Sequence, residues 1–194
     1  MRLQMRLVVG VAALLFAVVP AAKAQEGYGG DVAASYDWVR TNAGPGQCGC
    51  IGLNGGSLSG SWNVHGPWSV VTDFSAVFSS SAPVTGNSLT LTSYMAGARY
   101  YLPQLSMRRV YHHPQLFGQL LVGAGHAGGG YAGVGDGTYG FASRVGGGID
   151  VPVSSRFAVR VIQIDYYLTN FANATNDHQN NLLVGAGIVF HWSR

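Results

Sequence analysis

The chain has 194 residues, 47% of them hydrophobic and only 10% charged, with 29 glycines; that charged share is roughly half what a soluble domain carries. The formal net charge of +3 owes itself to Arg2, Arg6 and Lys23, because without them the 11 basic residues fall to 8 against 8 acidic ones. A near-neutral remainder with no lysine lacks the clustered cations that a phosphate backbone demands, which excludes nucleic acid as a partner.

The first 24 residues read as a secretory signal peptide. Arg2 and Arg6 precede an apolar run from Leu7 to Val19, then Pro20 and the small-x-small site Ala22-Lys23-Ala24, a layout that predicts cleavage after Ala24. The run is shorter than the roughly 18 residues a spanning helix needs, and Gln25 in place of a cysteine gives no lipoprotein anchor. Residues 25–194 are then one domain.

No later stretch keeps a helical period for three turns. Instead, segments of alternating polarity are separated by clusters of turn formers, and eight are predicted: 31–42, 55–64, 67–78, 88–102, 115–126, 138–151, 155–169 and 181–192. "HGP" (65–67) and "PVSS" (152–155) make short links. "TNAGPGQCGCIGLN", "SSSAPVTGN", "AGGGYAGVGDG" and "TNFANATNDHQN" make long ones. An even number of strands with long links on one rim and short ones on the other is the pattern of a closed up-and-down barrel. "PQLSMRRVYHHP" (103–114) breaks the rule, being long where a short turn belongs, and predicts a ragged inner loop.

Parity divides each segment into two faces. Ile162, Ile164, Tyr166 and Leu168 oppose Gln163 and Asp165; Tyr94, Ala96, Ala98 and Tyr100 oppose Ser93, Gly97 and Arg99; Phe141, Val145 and Ile149 oppose Arg144, Gly146, Gly148 and Asp150. A soluble barrel turns its apolar face inward, whereas a membrane barrel turns it toward lipid. Three features select the membrane arrangement. Segment lengths match the 9 to 11 residues that cross a bilayer at a tilt. Aromatic pairs stand near segment ends as a girdle (Tyr36 and Trp38, Trp62 and Trp68, Tyr100 and Tyr101, Tyr166 and Tyr167, Phe190 and Trp192). The glycine-rich face suits an eight-stranded interior only wide enough for side chains.

The last segment, "LLVGAGIVFHWSR", places Leu182, Val184, Ala186, Ile188, Phe190 and Trp192 on one face and Leu183, Gly185, Gly187, Val189 and His191 on the other. It resembles the aromatic-terminated insertion signal of outer-membrane barrels, with Ser193 and Arg194 added after the tryptophan. With "ARYYL", "GGGIDV" and "AVRVIQIDYYL", it makes residues 26–194 similar to the OmpA-like superfamily of small eight-stranded outer-membrane barrels. That resemblance implies an all-β, eight-stranded antiparallel transmembrane barrel after a cleaved signal peptide. It also implies a monomer that needs no cofactor, meets outer-membrane lipid, and reaches the barrel-insertion machinery through its C-terminal strand. The family's peptidoglycan-binding domain has no counterpart here. The functions implied are structural or surface-interactive, with narrow-pore passage of small solutes alongside.

The candidate chemistry lies on the polar face: Arg99, Gln119, Arg144 and Asp150, with Asp37, Asp73 and Asp165. In a narrow interior an unpaired charge costs several kcal/mol, so an Arg99–Asp150 pair is expected, acting either as a charged plug that gates a pore or as a static polar core. Arg160 shares the parity of Ile162, so it either snorkels at the inner rim or a bulge switches its side. Cys48 and Cys50, among turn formers, are disulfide candidates in an exported chain and, without neighbouring histidine or acid, a poor metal site. "GAGHAG" (123–128) matches GxGxxG but no helix follows it. His112 and His113 are adjacent and point apart, and "NAT" (173–175) matches a glycosylation sequon. Two other classes are weighed. A lipid-modifying enzyme would need His126 beside Ser93 or Ser143 with an acid, and a calycin barrel would share "GSW" (60–62) but carry it on its first strand.

Overall fold

The computed structural model describes residues 28–42, 50–79, 88–102, 114–128, 137–171 and 178–193. They form eight strands: β1 (Tyr28–Asn42), β2 (Cys50–His65), β3 (Trp68–Ser79), β4 (Leu89–Tyr101), β5 (Gln115–Gly128), β6 (Thr138–Pro152), β7 (Phe157–Asn170) and β8 (Gln179–Ser193). Each is antiparallel to its sequence neighbours, and β1 also pairs with β8, from Tyr28↔Ser193 to Arg40↔Leu182. The sheet is a closed barrel in chain order, which removes every free edge and satisfies the backbone within the wall. No described helix is long and apolar enough to cross a membrane.

The predicted segments match these strands with shifted ends. β2 begins at Cys50, five residues before the predicted start, because Ile51 and Leu53 continue the inward alternation, both nearly inaccessible. Cys50 is therefore a strand residue in register with Asn42, not a turn residue. Cys48, the inner loop 103–113, His112, His113 and "NAT" lie outside the described residues. The β2–β3 turn uses Gly66 at φ 55°, a left-handed conformation that side-chain-bearing residues avoid. In the β6–β7 turn the Val153 and Ser154 N–H groups donate to the Phe157 carbonyl at 2.9 and 3.0 Å. β4 and β5 close at the same end, which is called the turn end; the other is the loop end.

The apolar parity faces outward. Tyr94 (59% exposed), Val145 (52%), Ile164 (46%) and Ile188 (61%) stand on the barrel's exterior, while Arg99, Arg144 and Asp165, on the opposite parity, are at most 1% exposed. This is the reverse of a calycin barrel. Aromatic rings pack on the outer wall near the turn end, Trp62 against Trp192 at 6.4 Å, Trp68 against Tyr100 at 4.8 Å and Phe157 against Phe190 at 5.2 Å, as an interfacial girdle does. The expected girdle is corrected at two positions. Tyr101 and Tyr167 face the lumen, since each adjoins an outward tyrosine and neighbours on a strand point to opposite faces. Tyr167 is 1% exposed.

Candidate functional site

The lumen has two chemically distinct ends. Toward the loop end, Val39, Ile51, Leu53, Val77, Leu91, Ala127, Ala142, Phe171 and Leu183 pack into a buried apolar cluster that continues down the wall through Met95, Leu121, Val71 and the ring of Tyr167. Most of the cluster lies at or near the loop end, so the inner face is not uniformly polar as its glycines and charges suggest. From the middle to the turn end lie the buried arginines 99, 144 and 160 and the buried aspartates 31, 37, 73, 150 and 165.

Three ion pairs organise this polar half. Arg160 grips Asp150 with two parallel bonds, Nε to Oδ1 at 2.8 Å and Nη2 to Oδ2 at 3.0 Å, and its Nη1 donates to Gln163 at 2.9 Å. Arg144 donates to Asp73 at 2.9 Å, to Ser93 at 3.1 Å and to Ser75, whose hydroxyl is 2.7 Å from that of Ser93. Arg99 reaches Gln119 Oε1 from Nη2 at 3.0 Å and Asp31 at 3.5 Å. Asp31 also accepts from Tyr101 Oη at 2.8 Å and from Ser61. Asp165 accepts from the Gln119 amide at 3.1 Å and the Gln163 amide at 2.6 Å. Asp37 lies against Gly185, and its Oδ2 has no hydrogen-bond partner among the described residues.

Aromatic faces complete the packing. Phe117 is sandwiched between two guanidiniums, Arg99 and Arg160, each 4.5 Å from its ring centre, and Arg144 sits 4.7 Å from the centre of Tyr167. A ring's negative face attracts a cation and does so most where water is excluded. Gly148 makes room for Phe117, for a Cβ there would approach the ring to 2.8 Å.

All seven predicted lumen residues are buried on the inner wall, but the expected Arg99–Asp150 pair does not form. Asp150 is held by Arg160, and Arg99 turns to Gln119 and Asp31. The reason is a bulge in β7. Register runs Ile149↔Ile162 and then Asp150↔Arg160, so Val161 and Ile162 both face outward and Arg160 turns inward, directly opposite Asp150. Of the two sides offered to Arg160, the bulge selects the lumen. Gln163 and Ser93, on the polar face by parity, join the network as well, and Asp31 and Ser75 are members that parity had not singled out. The polar residues of Arg160-Val161-Ile162-Gln163 are three apart instead of two, which is the signal of the bulge.

The residues weighed for catalysis do not converge. His126 lies on the outer wall, its ring tilted against that of Tyr139 with centres 4.5 Å apart, whereas Ser93 is buried inside with Ser75 and Arg144. Ser143 is in register with Val122, four residues along β5 from His126. "GAGHAG" is the loop-end half of β5, and "GSW" lies on β2 rather than the first strand.

The sequence matches no protein-family model and no curated protein. Among solved structures, Neisserial surface protein A aligns with a TM-score of 0.58 at 14% identity, over 84% of this chain and 96% of that one. The attachment invasion locus protein Ail of Yersinia pestis aligns with a TM-score of 0.51 at 17% identity, over 83% of this chain and 99% of that one. The fold is that of the small eight-stranded outer-membrane barrels. At these identities the likeness concerns architecture.

Proposed function

We propose that this protein is an outer-membrane barrel whose role is to hold its four long links at the cell surface as contact surfaces, on a wall with a closed lumen. Residues 1–24 direct export, and the aromatic-tipped β8 is the strand presented to the insertion machinery. The observation that carries the reading is the inversion of polarity: exterior positions hold Ile188, Val145 and Tyr94, and the interior holds three arginines at 1% exposure. Such a surface is stable only where hydrocarbon covers it, since contiguous apolar patches of this extent are rare on soluble monomers. The bidentate Arg160–Asp150 pair, the Phe117 sandwich and the apolar loop-end cluster fill an interior that eight strands make narrow already. Two neighbours in fold carry the words "attachment" and "surface" in their names, which agrees with a role in contact. The buried, mutually bonded ion pairs favour the static polar core over the gate.

Protease treatment of intact cells tests the orientation, with cleavage expected in the long links and protection at 65–67 and 153–156; cleavage at those turns overturns it. Planar-bilayer recording of the folded protein tests the lumen. No steady conductance step is expected, and a stable ohmic channel overturns the closed barrel.

A further inference from the structure

Resting on that outer-membrane reading, we propose that the loop-end rim of the β8–β1–β2 wall binds the phosphate of an outer-leaflet glycolipid, with Arg40 as the cation. Arg40 is exposed on the barrel's exterior, two residues from the end of β1. Among the described residues no carboxylate pairs with it; the three arginines that have such partners are inside.

The neighbours of Arg40 supply hydrogen-bond donors. It stands in register with Gly52 on β2 and Leu182 on β8. Gly52 has no side chain, and Trp38 occupies the space: a Cβ at Gly52 would be 3.1 Å from the indole Nε1. The indole N–H, a donor that accepts nothing, is thereby placed across from Arg40. Asn54 faces Trp38 in register, and Asn180 lies one outward position beyond Leu182 on β8. Each asparagine has its carbonyl oxygen engaged, Asn54 by Tyr36 Oη at 2.8 Å and Asn180 by Tyr166 Oη at 2.6 Å. The two tyrosines thus orient both carboxamides so that their amide N–H groups remain to donate.

The rim therefore presents the Arg40 guanidinium with the Trp38 indole N–H beside it, flanked by the Asn180 amide on β8 toward the loop end and by the Asn54 amide on β2 on the other side, both carboxamide oxygens being already occupied. That set complements phosphate oxygens, which only accept, and the guanidinium fork matches them two at a time. Leu182, in register with Arg40, and Tyr36, one outward position below Trp38, are exposed and offer apolar surface suited to an acyl chain. The assignment to a glycolipid follows from position. The rim belongs to the long-link end, which faces the outside in the reading above, and amide donors beside a cation suit a phosphate carried on a sugar.

The test uses the full chain folded in lipid nanodiscs, with diphosphorylated lipid A as the probe and the Trp38 indole resonance, identified by its loss in Trp38→Phe, as the readout. A saturable shift is expected, weakened about tenfold or more in Arg40→Gln, less in Arg40→Lys, and absent with dephosphorylated lipid A. Arg40→Gln is an exposed change, and unaltered gel mobility before heating confirms its fold. Equal binding by Arg40→Gln and the parent chain overturns the site, and equal competition by phosphatidylglycerol overturns the glycolipid assignment. If the parent chain does not enter lipid at all, the outer-membrane reading falls and this proposal with it; entry without an Arg40 effect removes this site alone.

Discussion

In the turn-end half of the lumen, Arg99, Arg160, Asp31 and Asp150 are locked into bonds of defined partner and direction, whereas in the loop-end half Val39, Leu53, Val77 and Leu183 touch without directionality. Both halves stand on the same strand parity and are equally buried. The difference separates two tasks. Apolar contact stabilises any arrangement of the right volume, but a buried ion pair tolerates one register only, because a slip of one residue carries its charges through the wall into lipid. The loop-end cluster also keeps water from the ion pairs beneath it, and excluding water strengthens them.

The largest expected effect comes from breaking a pair on one side. Arg144→Met removes the cation from Asp73 and two donors from Ser75 and Ser93, and stranding one buried partner costs about 3–5 kcal/mol. Urea unfolding in lipid vesicles, followed by tryptophan fluorescence, should show that loss. Adding Asp73→Leu should restore most of it, because two apolar side chains of similar volume often replace a buried pair at little cost. Equal destabilisation of the single and double variants would mean that the pair does not act as a unit. The apolar half predicts a contrast. Leu53→Ala should cost about 2–5 kcal/mol in the same assay through lost contact and the cavity left behind, with no second-site polar change able to recover it.

How far the sequence reaches into this comparison can be read from single residues. Alternation alone assigned Ile164 and Tyr166 to the exterior and Asp165 to the interior, since a period of two records which face a side chain takes. It does not record depth along the barrel, so the apolar half was hidden: Val39 has the parity of Asp37, and Leu53 that of Ser59. Nor does it record partners across the lumen. Arg99 and Asp31 are 68 positions apart, and their meeting depends on barrel closure and stagger. Arg160 was ambiguous because parity fails at a bulge, although the three-residue spacing to Gln163 marks one. Asp31 was within reach, having the parity of Asp37 on the same strand.

A smaller and sharper effect separates two strand glycines on opposite faces of the wall. Both lie within antiparallel strands, Gly146 on the lumen parity of Arg144 and Gly118, between the inward Phe117 and Gln119, on the outer parity. A Cβ on Gly146 would collide with the Ile164 carbonyl and the Asp165 carboxylate, whereas at Gly118 the nearest atom is 3.8 Å away. Backbone cannot yield as a flexible side chain can, so Gly146→Ala should cost about 1–3 kcal/mol and disturb the amides that Gln119 and Gln163 donate to Asp165. Gly118→Ala, at ordinary contact distance, should stay within about 0.5 kcal/mol of the parent. Urea midpoints for the two variants, measured side by side, decide the matter. Equal values would show that both glycines serve strand flexibility in general, and unequal ones that the inward-facing Gly146 is small because a carboxylate lies against it.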